Sequence, residues 1–149
     1  KKDLAGIAMS YGYVYVAQIA MGADYNQCIK AINEAESYHG PSIVIAYAPC
    51  INHGIKVGMS NCMAEEKNAV NAGYWHLFRF DPRLADEGKN PFVLDSKAPS
   101  ANYRDFILGE NRYRRLLAEF PERAAVLFDE AEKQAAAKYE HLEKLSKAE

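Results

Sequence analysis

The sequence predicts an α/β fold built on a parallel sheet and finished by a C-terminal helical extension, and three observations carry that expectation. Ile43-Val44-Ile45-Ala46-Tyr47, set between Gly40-Pro41 and Pro49, is a nearly uninterrupted β-branched and apolar run, the composition of a strand buried on both faces. Strand-like and helix-like patterns alternate from Gly12 to Asp81, the order expected of repeated βα units. From Pro121 to Glu149 the chain is rich in Ala, Glu and Lys, with a proline where a first helical turn tolerates one.

Taken in order, residues 3–11 read as a short helix capped by Asp3 and stopped by Gly12. Tyr13 to Ala20 is aromatic and β-branched, a strand by composition, and Met21-Gly22-Ala23 turns the chain. Asp24 caps a helix over 25–38, in which Tyr25, Cys28, Ile29, Ile32 and Ala35 share the face expected to meet the sheet. After the Ile43–Tyr47 strand, Ser60 or Asn61 starts a third helix that Gly73 ends. Trp75 to Phe80 alternates apolar with polar or cationic side chains up to Asp81-Pro82, which fits a strand nearer a sheet edge. Residues 82–101 are turn-rich, with one extended island at Pro91–Leu94, and read as a connecting arm. Tyr103, Phe106, Ile107, Tyr113, Leu116, Leu117 and Phe120 mark one or two helices. Ala124, Leu127, Phe128, Ala131, Ala135, Tyr139 and Leu142 make a stripe along the last one, which is expected to lie along the domain or a neighbouring subunit. The expected organisation is therefore 1–81 as an α/β unit, 82–101 as an arm, and 102–149 as helices.

At 149 residues and 49% hydrophobic, the chain has enough apolar material for one core. A net charge of −2 gives no electrostatic footprint for nucleic acid. No apolar stretch approaches the ~20 residues of a membrane span. Three cysteines are too few and too odd for a disulfide scaffold, so a reducing, cytoplasmic setting is expected. The Lys1-Lys2-Asp3 start carries neither an initiator Met nor a signal-type apolar core, which suggests a piece of a longer polypeptide.

Neither GxGxxG nor GxxxxGK[ST] occurs, and GxSxG and HExxH are also missing. Paired carboxylates, Glu65-Glu66 and Asp86-Glu87, read as solvated surface. The chemistry-bearing candidate is Cys50, in Tyr47-Ala48-Pro49-Cys50-Ile51-Asn52-His53-Gly54, because ligands of open α/β sheets gather beyond the carboxyl ends of strands. Several readings of it stand side by side. It fills space as a buried free thiol; it pairs with His53 as thiolate and base; it contributes with His53 and Cys62 to a zinc site lacking a fourth ligand; or it completes a cluster whose other ligands lie elsewhere. Cys28 reads as core and Cys62 as an inert position in a helix's first turn. His39, His76 and His141 have no visible ligand set, and Tyr11, Tyr13 and Tyr15 read as sheet packing.

The segments Met9-Ser10-Tyr11-Gly12-Tyr13-Val14-Tyr15-Val16-Ala17-Gln18, Ala46 to Gly54, Gly73-Tyr74-Trp75 and Gly88 to Lys97 resemble the C-terminal portion of the pyruvate:ferredoxin (flavodoxin) oxidoreductase family. The likeness runs over nearly the whole chain. It implies part of a thiamine-diphosphate-binding parallel-sheet domain of a large enzyme. That enzyme converts pyruvate and coenzyme A to acetyl-CoA and CO2 and sends electrons through [4Fe–4S] clusters to ferredoxin or flavodoxin. It further implies that Cys50 is the last of four cysteine ligands to the cluster nearest the thiamine, the one site residue that carries over. The other three ligands, the GDG-type motif for diphosphate and Mg2+, and the pyruvate, coenzyme A and ferredoxin-like domains match nothing in these residues. The resemblance therefore implies a homodimer when intact, the rest of the enzyme as partner, and little activity or cofactor binding by this chain alone. A non-catalytic dimerisation module built on Tyr103–Glu149 is the alternative, with a Cys50–His53 thiol enzyme behind it.

Overall fold

The computed structural model describes residues 2–148. Leu4–Met9 form α1, capped by the Asp3 carboxylate, which accepts from Gly6 N–H at 3.0 Å. Tyr15–Ile19 form β1, Tyr25–Ser37 form α2 and Ser42–Ala46 form β2. Asp24 caps α2 by accepting from Gln27 N–H at 2.9 Å. A 3₁₀ turn at Met59–Asn61 leads into α3, Cys62–Asn71. Then come β3 (Phe78–Phe80), α4 (Pro82–Asp86), β4 (Phe92–Leu94), α5 (Tyr103–Ile107), α6 (Asn111–Glu119) and α7 (Pro121–Ser146).

The four strands make one sheet in the order β2-β1-β3-β4. The α/β class and the helical extension stand, and β1 and β2 are parallel as expected, with Ile19 opposite Ala46. The two later strands depart from an all-parallel sheet: β3 runs antiparallel to β1, and β4 antiparallel to β3. The extended island at 91–94 returns beside Phe78–Phe80 as a short antiparallel pair, which needs no crossover.

Two further expectations are corrected. β2 is an outer strand with half-buried central residues, not one covered on both faces. β3, expected nearer an edge, lies between β1 and β4, with Phe78 fully buried. Arg79 can sit in that interior position because two carboxylates neutralise it: Glu34 of α2 at 2.7 Å and Asp95, just after β4, at 2.8 Å.

One side of the sheet packs Val16, Phe78 and Phe92 against Ala5 and Ala8 of α1 and Leu142 of α7. On the other, Cys28 and Ala31 of α2 cover Tyr15, Ala17 and Ile19. The predicted face of α2 is thus rotated: Tyr25, Ile29 and Ile32 are exposed. Gln27 turns inward instead, where its amide donates to Gln18 C=O at 3.2 Å and to Asp95 at 2.9 Å. Along α7 the predicted stripe holds at Ala124, Phe128 and Leu142, while Leu127 faces outward. A third cluster joins Tyr47, Leu77, Phe106, Ile107 and Phe128, so the helices after residue 102 pack directly on the end of the α/β unit.

Candidate functional site

Parallel pairing of β1 and β2 brings their carboxyl ends side by side, and the loops leaving those ends build the site. The β1 loop turns at Gly22, whose N–H donates to Glu66 at 2.8 Å. A Cβ placed on Gly22 would fall 2.1 Å from Met63 C=O, so this turn touches the start of α3 backbone to backbone. Glu66 is buried for that purpose, and Glu65 beside it is buried as well. The expectation that this pair is solvated surface is corrected: α3 turns both carboxylates toward the protein. Burial holds the Glu65 carboxyl above its usual pKa, and Glu65 Oε1 has no hydrogen-bond partner among the described residues.

The β2 loop is anchored first by Tyr47. Its N–H donates to Ile19 C=O at 3.0 Å, its ring lies 5.7 Å from that of Trp75, and its hydroxyl donates to Glu110 Oε1 at 3.0 Å. Pro49 is buried. The chain then makes a turn closed by Gly54 N–H donating to Cys50 C=O at 2.8 Å, with Gly54 at φ +71°, the left-handed conformation that glycine adopts freely. Inside that turn Cys50 Sγ lies 3.1 Å from His53 Nδ1. The hydrogen bond from His53, reinforced by the backbone N–H groups of His53 and Asn52, lowers the Cys50 thiol to a pKa of about 7. Cys50 is only half-buried, and Ile51 beside it is 87% exposed. Of the readings open to the sequence, the buried space-filler is therefore overturned.

The structure does not gather the other candidates around Cys50. Cys28 is core on α2, as expected, and burial raises its thiol pKa. Cys62 donates to Met59 C=O at 2.6 Å in the turn before α3. Among the described residues no three His, Cys, Asp or Glu side chains group as a metal site, so the zinc set of Cys50, His53 and Cys62 does not form. His39 and His141 are exposed. His76 precedes β3 and is buried, which corrects its expected place on a polar strand face. Tyr15 packs in the core, whereas Tyr11 and Tyr13 are exposed. No helix among the described residues is long and apolar enough to cross a membrane.

What the donor set offers an iron–sulfur cluster is one thiol at a surface turn, polarised by neighbouring N–H groups that lower its pKa. That fits a single ligand within a set of four. Of the supports of this turn, Tyr47 lay within the segment singled out in the sequence, while Glu110 and Asn111 carried no signal, since they look like any polar residues at the start of a helix.

No protein-family model matches the chain. Individual proteins do. It is 58% identical over 146 residues, 98% of its length, to the pyruvate:ferredoxin oxidoreductase of Moorella thermoacetica. Over the same share it is 53% identical to the pyruvate-flavodoxin oxidoreductase of Enterobacter agglomerans. Over 127 residues it is 51% identical to the mitochondrial pyruvate dehydrogenase [NADP(+)] of Euglena gracilis. The chain spans 12% of the length of the first two proteins and 7% of the third. It thus corresponds to a segment of pyruvate oxidoreductases. Within that class the match is to the pyruvate:ferredoxin and pyruvate-flavodoxin oxidoreductases, a small part of whose length this chain matches.

Proposed function

We propose that this chain is the part of a pyruvate:ferredoxin or pyruvate:flavodoxin oxidoreductase that supplies Cys50 to a [4Fe–4S] cluster. The observation that carries the proposal is the identity of 58% along 98% of the chain to an enzyme of that name. The half-buried, His53-polarised thiol beyond the carboxyl end of β2 supports the role of Cys50, because a cluster ligand must be a thiolate.

In this reading the intact enzyme converts pyruvate and coenzyme A to acetyl-CoA and CO2 in the cytoplasm, as a homodimer, with ferredoxin or flavodoxin as acceptor. The cluster, when bound, supplies one-electron transfer. Thiamine diphosphate, its Mg2+ and the remaining cluster ligands belong to the rest of the polypeptide. Residues 1–81 act as part of the thiamine-binding α/β unit, 82–101 as the arm and 102–149 as helical support.

The test is Cys50→Ser in the full-length enzyme, isolated anaerobically. Loss of one cluster's iron and of its EPR signal is expected; wild-type iron and EPR would overturn the ligand assignment. A second reading, a thiol nucleophile with His53 as base, has the 3.1 Å contact in its favour. Among the described residues, however, no side chain orients the second ring nitrogen of His53, as a catalytic base requires. That reading predicts wild-type iron in the same variant.

A further inference from the structure

Among the described residues the Cys50 thiol is hydrogen-bonded within its own turn, to His53 and Asn52, so something else must fix where that turn points. The flanks of the turn, on both sides of the cysteine, converge on three consecutive residues that lead from α5 into the first position of α6: Gly109, Glu110 and Asn111. Upstream of Cys50, the Tyr47 hydroxyl donates to Glu110 Oε1 at 3.0 Å. Downstream, Asn111 Nδ2 donates to His53 C=O at 3.0 Å and Asn111 N–H to Gly54 C=O at 3.3 Å. Ile55 and Glu110 form an antiparallel bridge, and Lys56 N–H donates to Gly109 C=O at 2.8 Å.

Glu110 has no exposed surface at all, an unusual place for a carboxylate in a connection between helices. Its second oxygen faces Arg112 Nε at 3.6 Å, and neither atom has a hydrogen-bond partner among the described residues. A carboxylate so placed is costly to bury, and the Tyr47 hydroxyl is its hydrogen-bonded return. Asn111 works on the peptide carbonyls of the turn itself. Its amide holds the carbonyl of His53, the residue whose ring holds the Cys50 thiol, so one side chain reaches the sulfur through one intervening residue.

We propose that Glu110 and Asn111 are positioning residues, which clamp the Cys50 turn from both flanks and so set the direction in which its thiolate is presented. The proposal rests on the reading of Cys50 as a cluster ligand for its functional meaning, and on the hydrogen bonds above for the clamp itself. It also gives the helices after residue 102 a task in the centre of the enzyme rather than at its periphery.

The experiment compares Asn111→Ala, Asn111→Asp, Glu110→Ala and Glu110→Gln with wild type and Cys50→Ser in the full-length enzyme. It follows amide hydrogen exchange of residues 50–56, iron content, and the EPR spectrum and midpoint potential of the reduced clusters. Asn111→Ala and Asn111→Asp both remove the donor to His53 C=O. They are expected to keep their iron, to speed exchange at 50–56 on the order of tenfold, as loss of one hydrogen bond allows, and to shift one cluster's EPR signal and potential. Glu110→Ala should do the same more strongly, while Glu110→Gln, which keeps an acceptor for Tyr47, restores wild-type spectra. Wild-type exchange and wild-type EPR in Asn111→Ala would overturn the clamp, and they decide the matter if Glu110→Ala does not fold. Should Cys50→Ser keep all its iron, the ligand reading fails, and the clamp stands or falls on the exchange rates.

Discussion

Arg79 grips Asp95 with two parallel hydrogen bonds, Nε to Oδ2 at 2.9 Å and Nη2 to Oδ1 at 2.8 Å. The remaining Nη1 donates to both oxygens of Glu34, at 2.7 and 2.9 Å, and Glu34 in turn accepts from the Tyr15 hydroxyl at 2.9 Å. One guanidinium thereby ties β3 to α2, to the segment after β4 and, through Glu34, to β1. Its own pKa is raised, first by the Asp95 hydrogen bonds, so it stays charged under all ordinary conditions.

Arg79→Ala leaves two largely buried carboxylates without a cation, and a loss of about 3–5 kcal/mol of stability is expected. Arg79→Lys keeps the charge but cannot make the planar fork, so it recovers only part of that loss. Chemical denaturation checks both; a cost below about 1 kcal/mol for Arg79→Ala, the range of exposed ion pairs, would show that the tie is not structural.

His76 makes stability pH-dependent. Burial, with a smaller contribution from Lys138 of α7, pushes its pKa down from 6.5 to about 4. A histidine depressed in the folded state binds fewer protons there than in the unfolded chain. Its contribution is therefore complete above about pH 6.5 and is lost as pH falls toward 4, by on the order of 2–3 kcal/mol across that window. Melting temperatures from pH 7 to 4.5 should fall more steeply for wild type than for His76→Gln. Equal slopes would assign the acid sensitivity to other groups.

His53 is expected to control the reactivity of Cys50. With the thiol at a pKa of about 7, a large share is thiolate at neutral pH. In cluster-free protein, His53→Ala should return the thiol toward ~8.5 and slow alkylation by iodoacetamide at pH 7 on the order of tenfold. Cys28, buried with a raised pKa, serves as the slow internal reference. An unchanged rate at Cys50 would mean that the contact between the two side chains does not persist in solution.

The helices, their caps and the Cys50 turn were legible in the sequence because local chemistry sets them: Asp3 and Asp24 bond to N–H groups three residues away. Long-range partners were not. Arg79 looked like a solvent-facing residue of an edge strand because its carboxylates lie 16 and 45 positions away. Gln27 gave no hint of burial, since its partner Asp95 is 68 residues distant. The apolar run of β2 says more about burial than its outer position in this sheet uses, and α2 likewise carries Ile29 and Ile32 on a face that nothing among the described residues covers. At the site, the cysteine could be singled out, and Glu110 and Asn111, which hold its turn, could not.

The bond between Asn111 and His53 joins residues 58 positions apart, so the Cys50 turn cannot take its final shape when it leaves the ribosome. At a synthesis rate of about 5–20 residues per second, roughly 3–12 seconds separate the emergence of the cysteine from that of the residues that hold it. For that interval the thiol is on a slack loop. Under the ligand role proposed above, metal delivery timed to the nascent chain would meet a cysteine without direction, whereas delivery after the last helices have docked would meet one held by Asn111 and Glu110.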